Sequence, residues 1–199
     1  MKGVSLPCGK RCRSEDRRSS RSRATIASRL PVRSILRYGA SPLTTPAEPI
    51  ADFDQNWQGL ADDMIATMYA APGVGLAAPQ IGVGVRLVVI DITVGEKDGE
   101  LIVMANPEIL ESRGSQSEEE GCLSVPEYSG VTRRPGWVRV RGQRLDGSFY
   151  EMEGDGLLAR AFAHEVDHLN GRLFLDRLGL LKRDLIVRKL RRRMRRGDW

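Results

Sequence analysis

The chain contains only two histidines, and both lie in one short segment, His164-Glu165-Val166-Asp167-His168. Positions i and i+4 of an α-helix sit one turn apart on the same face, so the two imidazoles can reach a single ion. Ala159, Ala161, Phe162 and Ala163, just before them, are small or apolar, which marks the helix as buried. Burying two imidazoles and a carboxylate is costly unless they share a partner. A fold built on this segment must therefore bring a further ligand against a central helix. Glu165 lies beside His164, off the two-histidine line, where it can reach a water held by such an ion and act as general base.

The third ligand comes from another part of the chain. After His168 there is no histidine and no glutamate, only Asp176, Asp184 and Asp198. Cys122, in Glu120-Gly121-Cys122-Leu123-Ser124, is the better candidate. Alone, such a cysteine reads as a small buried apolar group. Next to a two-histidine site short of one ligand, it reads as a thiolate. A Cys, His, His set leaves one tetrahedral position open, suits Zn²⁺, Fe²⁺, Co²⁺ or Ni²⁺, and fits hydrolysis better than a purely structural role. A further segment, Gly73-Val74-Gly75-Leu76-Ala77-Ala78-Pro79-Gln80, lacks the Gly-Lys-Ser/Thr ending of a phosphate loop. Its small residues suit either a tight turn or a backbone passing close to substrate, with Gln80 offering an N–H to a developing oxyanion.

The rest of the pattern is α+β. Trp57, Leu60, Ala61, Met64, Ile65, Met68 and Tyr69 recur at spacings of three and four, predicting a helix from Asp54, capped by Asp52 or Asp54 and ended by Pro72-Gly73. Residues 86–91 and 101–106 read as neighbouring strands. Residues 137–144 and 149–153 flank Asp146-Gly147, a strong hairpin signal. The histidine helix opens at Asp155 and closes at Asn170-Gly171, and a third helix covers Lys182 to Arg196. Together these predict antiparallel or mixed sheets packed around a central metal-binding helix, with a C-terminal helix.

Charge divides the 199 residues into three parts. Residues 1–30 carry nine Lys or Arg against two acidic groups, and residues 182–199 have the same balance, so each end is +7. The body, residues 31–181, has 13 basic and 22 acidic residues and stands at −9. This predicts a basic, disordered extension over 1–30, one catalytic domain over 31–181, and a basic helix and tail over 182–199. The Arg- and Ser-rich head reads as a start codon placed too early or a simple tail before it reads as a transit peptide. An acidic body with basic ends is not a DNA-binding surface; contact with RNA would run through the ends. No apolar run approaches the ~20 residues needed to span a membrane, and three cysteines make no disulfide framework.

Gly73 to Gln80, Glu120 to Ser124 and His164 to Gly171 occur in an order and form that resemble the peptide deformylases, enzymes that remove the formyl group from nascent chains in bacteria and organelles. The resemblance runs from about Val32 to the third helix. It implies that Cys122, His164 and His168 hold one divalent metal, typically Fe²⁺, with Zn²⁺, Ni²⁺ or Co²⁺ in purified protein. It implies Glu165 as general base, and Gln80 with the Leu123 N–H as the oxyanion's partners. Backbone near Val74, Gly75 and Gly121 would bind a formyl-methionyl nascent peptide, and Val74 with Phe162 or a neighbour on that helix would line its methionine pocket. A ferrous, thiolate-ligated site implies a reducing compartment, the bacterial cytoplasm, or an organelle if residues 1–30 are a transit peptide. The basic C-terminal helix would meet ribosomal RNA. Two departures stand out: Ser129 lies where many members carry a peptide-binding arginine, for which Arg133 or Arg134 could substitute, and Glu118 lies where an apolar residue often lines the methionine pocket. A metallopeptidase cutting ordinary peptide bonds, or a non-enzymatic ribosome-associated metal-binding module, are the rival readings.

Overall fold

The computed structural model describes residues 31–97 and 100–199. The expectations for residues 1–30 lie outside the described residues. Among the described residues, no helix is long and apolar enough to cross a membrane. Among the described residues, three α-helices, α1 (Trp57–Ala70), α2 (Gly156–Leu169) and α3 (Leu180–Arg196), accompany seven strands. These are β1 (Gly75–Ala77), β2 (Leu87–Ile90), β3 (Ile102–Arg113), β4 (Gln116–Gly121), β5 (Ser129–Arg134), β6 (Trp137–Gln143) and β7 (Phe149–Asp155). Five form one sheet in the order β1-β2-β3-β6-β7, and β4 pairs with β5 in a separate ribbon; every pairing is antiparallel.

The large sheet is covered on both faces. Val88 and Ile90 of β2 join Met104, Val138 and Val140 against Ala159, Ala161, Phe162 and Leu169 of α2. Leu87 and Val89 point the other way, to Ala61, Met64 and Met68 of α1. All four β2 side chains are fully buried, which is why that strand reads as an unbroken apolar run. A third cluster joins Ile186 and Leu190 of α3 to Leu43, Val125, Phe174 and Leu175, so the basic helix is seated on the body by its apolar side.

Several expected boundaries move. Helix α1 starts at Trp57, and its cap is Asn56, whose side chain accepts from the Gly59 N–H. Asp52 instead accepts from the Asp54 N–H and the Gln55 amide, which folds the chain ahead of the helix into a turn. Helix α3 starts at Leu180. Phe162, expected near the methionine pocket, is fully buried in the sheet-facing core.

Strand β3 is twice as long as its apolar run, because it continues through Pro107 by way of register shifts between Ala105 and Glu108 and between Ile109 and Glu111. A bulge is where a strand tolerates proline. Asn106 adopts a left-handed φ of 49° there. Its side chain accepts from the Ile50 N–H and donates to the Ile50 carbonyl, both at 2.8 Å, and to the Gln143 side chain at 2.7 Å. Asn106→Ala should therefore lower unfolding free energy in urea by about 1–3 kcal/mol, through unpaired buried groups and an unfavourable φ. Asn106→Gly removes the φ penalty but not the lost bonds, and should fall between wild type and alanine.

Candidate active site

Three separate segments meet at the start of the second half of α2. That helix presents His164 and His168 on one side and Glu165 beside them. Cys122 follows the last residue of β4. Gln80 lies in the short 3-10 turn Ala78–Ile81 that follows β1. Cys122 Sγ is 3.3 Å from His168 Nε2, the two Nε2 atoms are 3.1 Å apart, and the donor atoms of the three residues all lie within 4.8 Å of one another.

The donor geometry fits a cation. His164 Nδ1 donates to Glu120 Oε1 at 2.6 Å, which fixes the ring and leaves Nε2 facing His168 and Cys122. Two imidazole nitrogens and a sulfur converging on one point are the donor set of a divalent metal centre. Burial alone would lower the His164 pKa, but the Cys122 sulfur and the Glu120 carboxylate hold it well above the ordinary value. Burial, reinforced by His164, pushes His168 well below it.

Glu120 is itself held in place. Arg134 Nε and Nη2 donate to its two oxygens at 2.9 and 2.7 Å, and the Thr132 hydroxyl adds a third bond at 2.7 Å. Despite burial, the Arg134 guanidinium and the His164 imidazole keep the Glu120 carboxyl far below the usual range. Arg134 also donates to Asp167 on α2, and Arg177 donates to Asp167 from the other side. Arg134 is thus committed to the interior and is not a peptide contact. Arg133 bonds Ser115 on the surface, and Ser129 bonds Glu119. The roles of Glu120, Arg134 and Asp167 escaped the sequence reading. The available signal was that Thr132 and Arg134 share a strand face with Glu120 opposite, and that Asp167 lies one turn from His164.

Glu165 is 3 % exposed, and its Oε2 has no hydrogen-bond partner. Burial raises its pKa to about 7. It faces β1: a Cβ on Gly75 would overlap Glu165 Oε1 and lie 2.9 Å from its Cδ. The Gln80 amide is fixed by the Ala77 N–H at 2.9 Å on its oxygen, while its Nε2 faces Ser124 Oγ at 3.2 Å and Cys122 Sγ at 3.7 Å. A cavity of about 430 Å³ opens onto these groups, walled by Val74, Gly75, Gly121, Leu123, Leu157 and Ala161 among others. Glu119, not Glu118, reaches its rim.

The polypeptide deformylase family model matches residues 32–184. The chain belongs to that family. A peptide deformylase of Acidobacterium capsulatum is 49 % identical over 168 residues, 84 % of this chain and 99 % of that protein. A crystal structure of a peptide deformylase from Legionella pneumophila, 48 % identical, superposes with a TM-score of 0.77 over 84 % of this chain and 98 % of the other. A plant deformylase structure at 33 % identity gives 0.78 over 84 % and 91 %. The deformylase fold therefore extends over nearly all of the described chain.

Gly75→Ala should lower kcat/KM about 100-fold, the effect of displacing Glu165 by roughly an ångström, while circular dichroism and metal content stay at wild-type values. Near-normal turnover in that variant would contradict the close approach of β1 to Glu165.

Proposed function

We infer that this protein is a metal-dependent hydrolase that removes the N-terminal formyl group from formyl-methionyl nascent peptides, releasing formate. The observation that carries this is the convergence of Cys122, His164 and His168 beside a buried, unpartnered Glu165 at the end of a peptide-sized cavity. Cys122, His164 and His168 would hold one divalent ion, Fe²⁺ in the native enzyme, with Zn²⁺, Ni²⁺ or Co²⁺ able to take its place. Bound there, the ion supplies Lewis acidity to the formyl carbonyl and to water.

The remaining work falls to the protein. Glu165, ready to exchange a proton near neutral pH, takes one from the attacking water as its oxygen adds to the formyl carbon. It then passes that proton to the amine nitrogen as the C–N bond breaks and formate departs. Gln80 Nε2, held by the Ala77 contact on its oxygen, donates to the developing oxyanion together with the Leu123 N–H. Strand β1 is an edge of the large sheet and β4 follows it across the cavity, so Gly75 and Gly121 can align the peptide as an added strand. Val74, Leu157 and Ala161 provide the apolar surface for the methionine side chain. The thiolate and ferrous ion suit a reducing, cytoplasmic setting.

Glu165→Ala should retain about one metal per chain while formate release falls by about two to four orders of magnitude. Cys122→Ser should do the reverse, losing metal first, which atomic absorption after gel filtration would read. Wild-type turnover in metal-loaded Glu165→Ala would remove it as the base.

The partner expectation rests on α3. Its outward residues include Arg188, Lys189, Arg191, Arg192, Arg195 and Arg196, all exposed. Docking on ribosomal RNA through these would place the enzyme where its substrate emerges and raise local concentration. Deleting residues 188–199 would also remove the buried Leu190, so substitution is the better test. Changing Arg188, Arg191, Arg192 and Arg195 to glutamate should leave hydrolysis of a short formyl peptide intact and abolish salt-sensitive co-sedimentation with ribosomes. Equal retention at every salt concentration would rule this partner out.

A further inference from the structure

The cavity wall after Cys122 is a turn that its own sequence does not favour. The Tyr128 N–H bonds the Val125 carbonyl, enclosing Pro126 and Glu127, and Glu127 has φ of 70°. Proline followed by a positive-φ residue is a type II turn, which prefers glycine or asparagine at the second central position. Glutamate there is strained, and strain persists only where surrounding contacts over-determine it. Pro126, Glu127 and Tyr128 all line the cavity.

Those contacts come from the far end of the chain. Arg193 Nη1 and Nη2 donate to the two Glu127 oxygens at 2.9 and 3.1 Å, a fork that also holds this carboxyl below its ordinary range. The Trp199 ring lies 5.1 Å from the Arg193 guanidinium and 5.5 Å from that of Arg37, and 6.5 Å from the Tyr128 ring. Its indole N–H donates to the Tyr38 carbonyl at 2.9 Å, and the Tyr38 N–H donates to Ser124 beside the metal-site loop. The arginine is thus stacked, oriented and aimed at one carboxylate. Planar bidentate pairing gives geometric specificity that a lysine cannot reproduce.

We propose that Arg193 and Trp199 are positioning residues for the peptide-binding wall, holding the strained Val125–Tyr128 turn against the cavity. This rests on the reading of that cavity as the peptide site. Because Glu127 lies at the mouth and not at the reacting atoms, the effect falls on substrate binding. The strain also makes the account specific: a glycine at position 127 adopts the same φ freely and no longer needs the fork.

The test uses metal-loaded full-length protein and a formyl-methionyl tripeptide. Arg193→Met should raise KM about three- to five-fold, the size of one well-formed exposed ion pair, with kcat within about two-fold. Arg193→Lys should give a smaller rise in the same direction, and serves if the methionine variant does not fold. In a Glu127→Gly background, Arg193→Met should change nothing further. Hydrogen exchange at residues 125–128 should quicken in Arg193→Met without reference to turnover. An unchanged KM, an equal KM rise in both backgrounds, or unchanged exchange would overturn the proposal. Absence of formate release from the wild type would instead count against the deformylase reading, leaving the exchange result to judge the turn.

Discussion

The site depends on one buried ion-pair chain, in which Arg134 joins Glu120 to Asp167. Glu120 fixes the ring of His164, and Asp167 lies one turn further along the helix that carries both histidines. Arg134 therefore ties the β4–β5 ribbon, which supplies Cys122, to α2, which supplies the imidazoles. Isolated charges at this depth would be strongly destabilising; a guanidinium forked on one carboxylate and bonded to a second satisfies all three. Removing any member leaves the others buried and unpaired, so the network fixes geometry more than it adds stability.

That geometry explains why so small a fold can hold a buried, unpartnered carboxylate. Glu165 lies on the side of α2 that faces β1, where glycine at position 75 lets the strand come close to Oε1, while Oε2 is buried without a partner. His164, one residue earlier, faces the ribbon. The helix thus turns two neighbouring side chains to different partners, His164 to Glu120 and Glu165 to β1. The apolar clusters on both faces of the sheet keep the helix rigid enough for this arrangement to hold. The third cluster extends this support to α3, so the basic C-terminal helix is part of the body and not an appendage.

The helices and the β6–β7 hairpin were legible because their signals are local: a three-and-four spacing in α1, an Asp-Gly turn, paired histidines in α2. The metal donors were legible because two histidines, and one cysteine beyond residue 30, left few combinations. The β4–β5 ribbon was not. Gln116 to Gly121 is polar throughout, and its only buried side chain is Glu120, whose burial depends on an arginine 14 residues away. Hydrophobic periodicity cannot report a strand whose inward face is an ion pair. Strand β1 was hidden for a related reason, since Gly75-Leu76-Ala77 offers little β-propensity and gains its place by pairing with β2. For the same reason the sequence offers Arg134, as an alternative to Arg133, for a peptide contact and Glu118 for the cavity rim. Strand alternation fixes which side each faces, and alternation was not visible until the strands were.

The central claim is that Cys122, His164 and His168 form a metal centre serving hydrolysis and not merely folding. It is tested most directly by stripping the protein with a chelator under anaerobic conditions and restoring Fe²⁺ in steps. Formate release from a formyl-methionyl peptide should disappear on stripping while far-ultraviolet circular dichroism is retained, then return linearly to a plateau at one equivalent of Fe²⁺ per chain. Full formate release from metal-free protein, or loss of the folded state on stripping, would contradict the account.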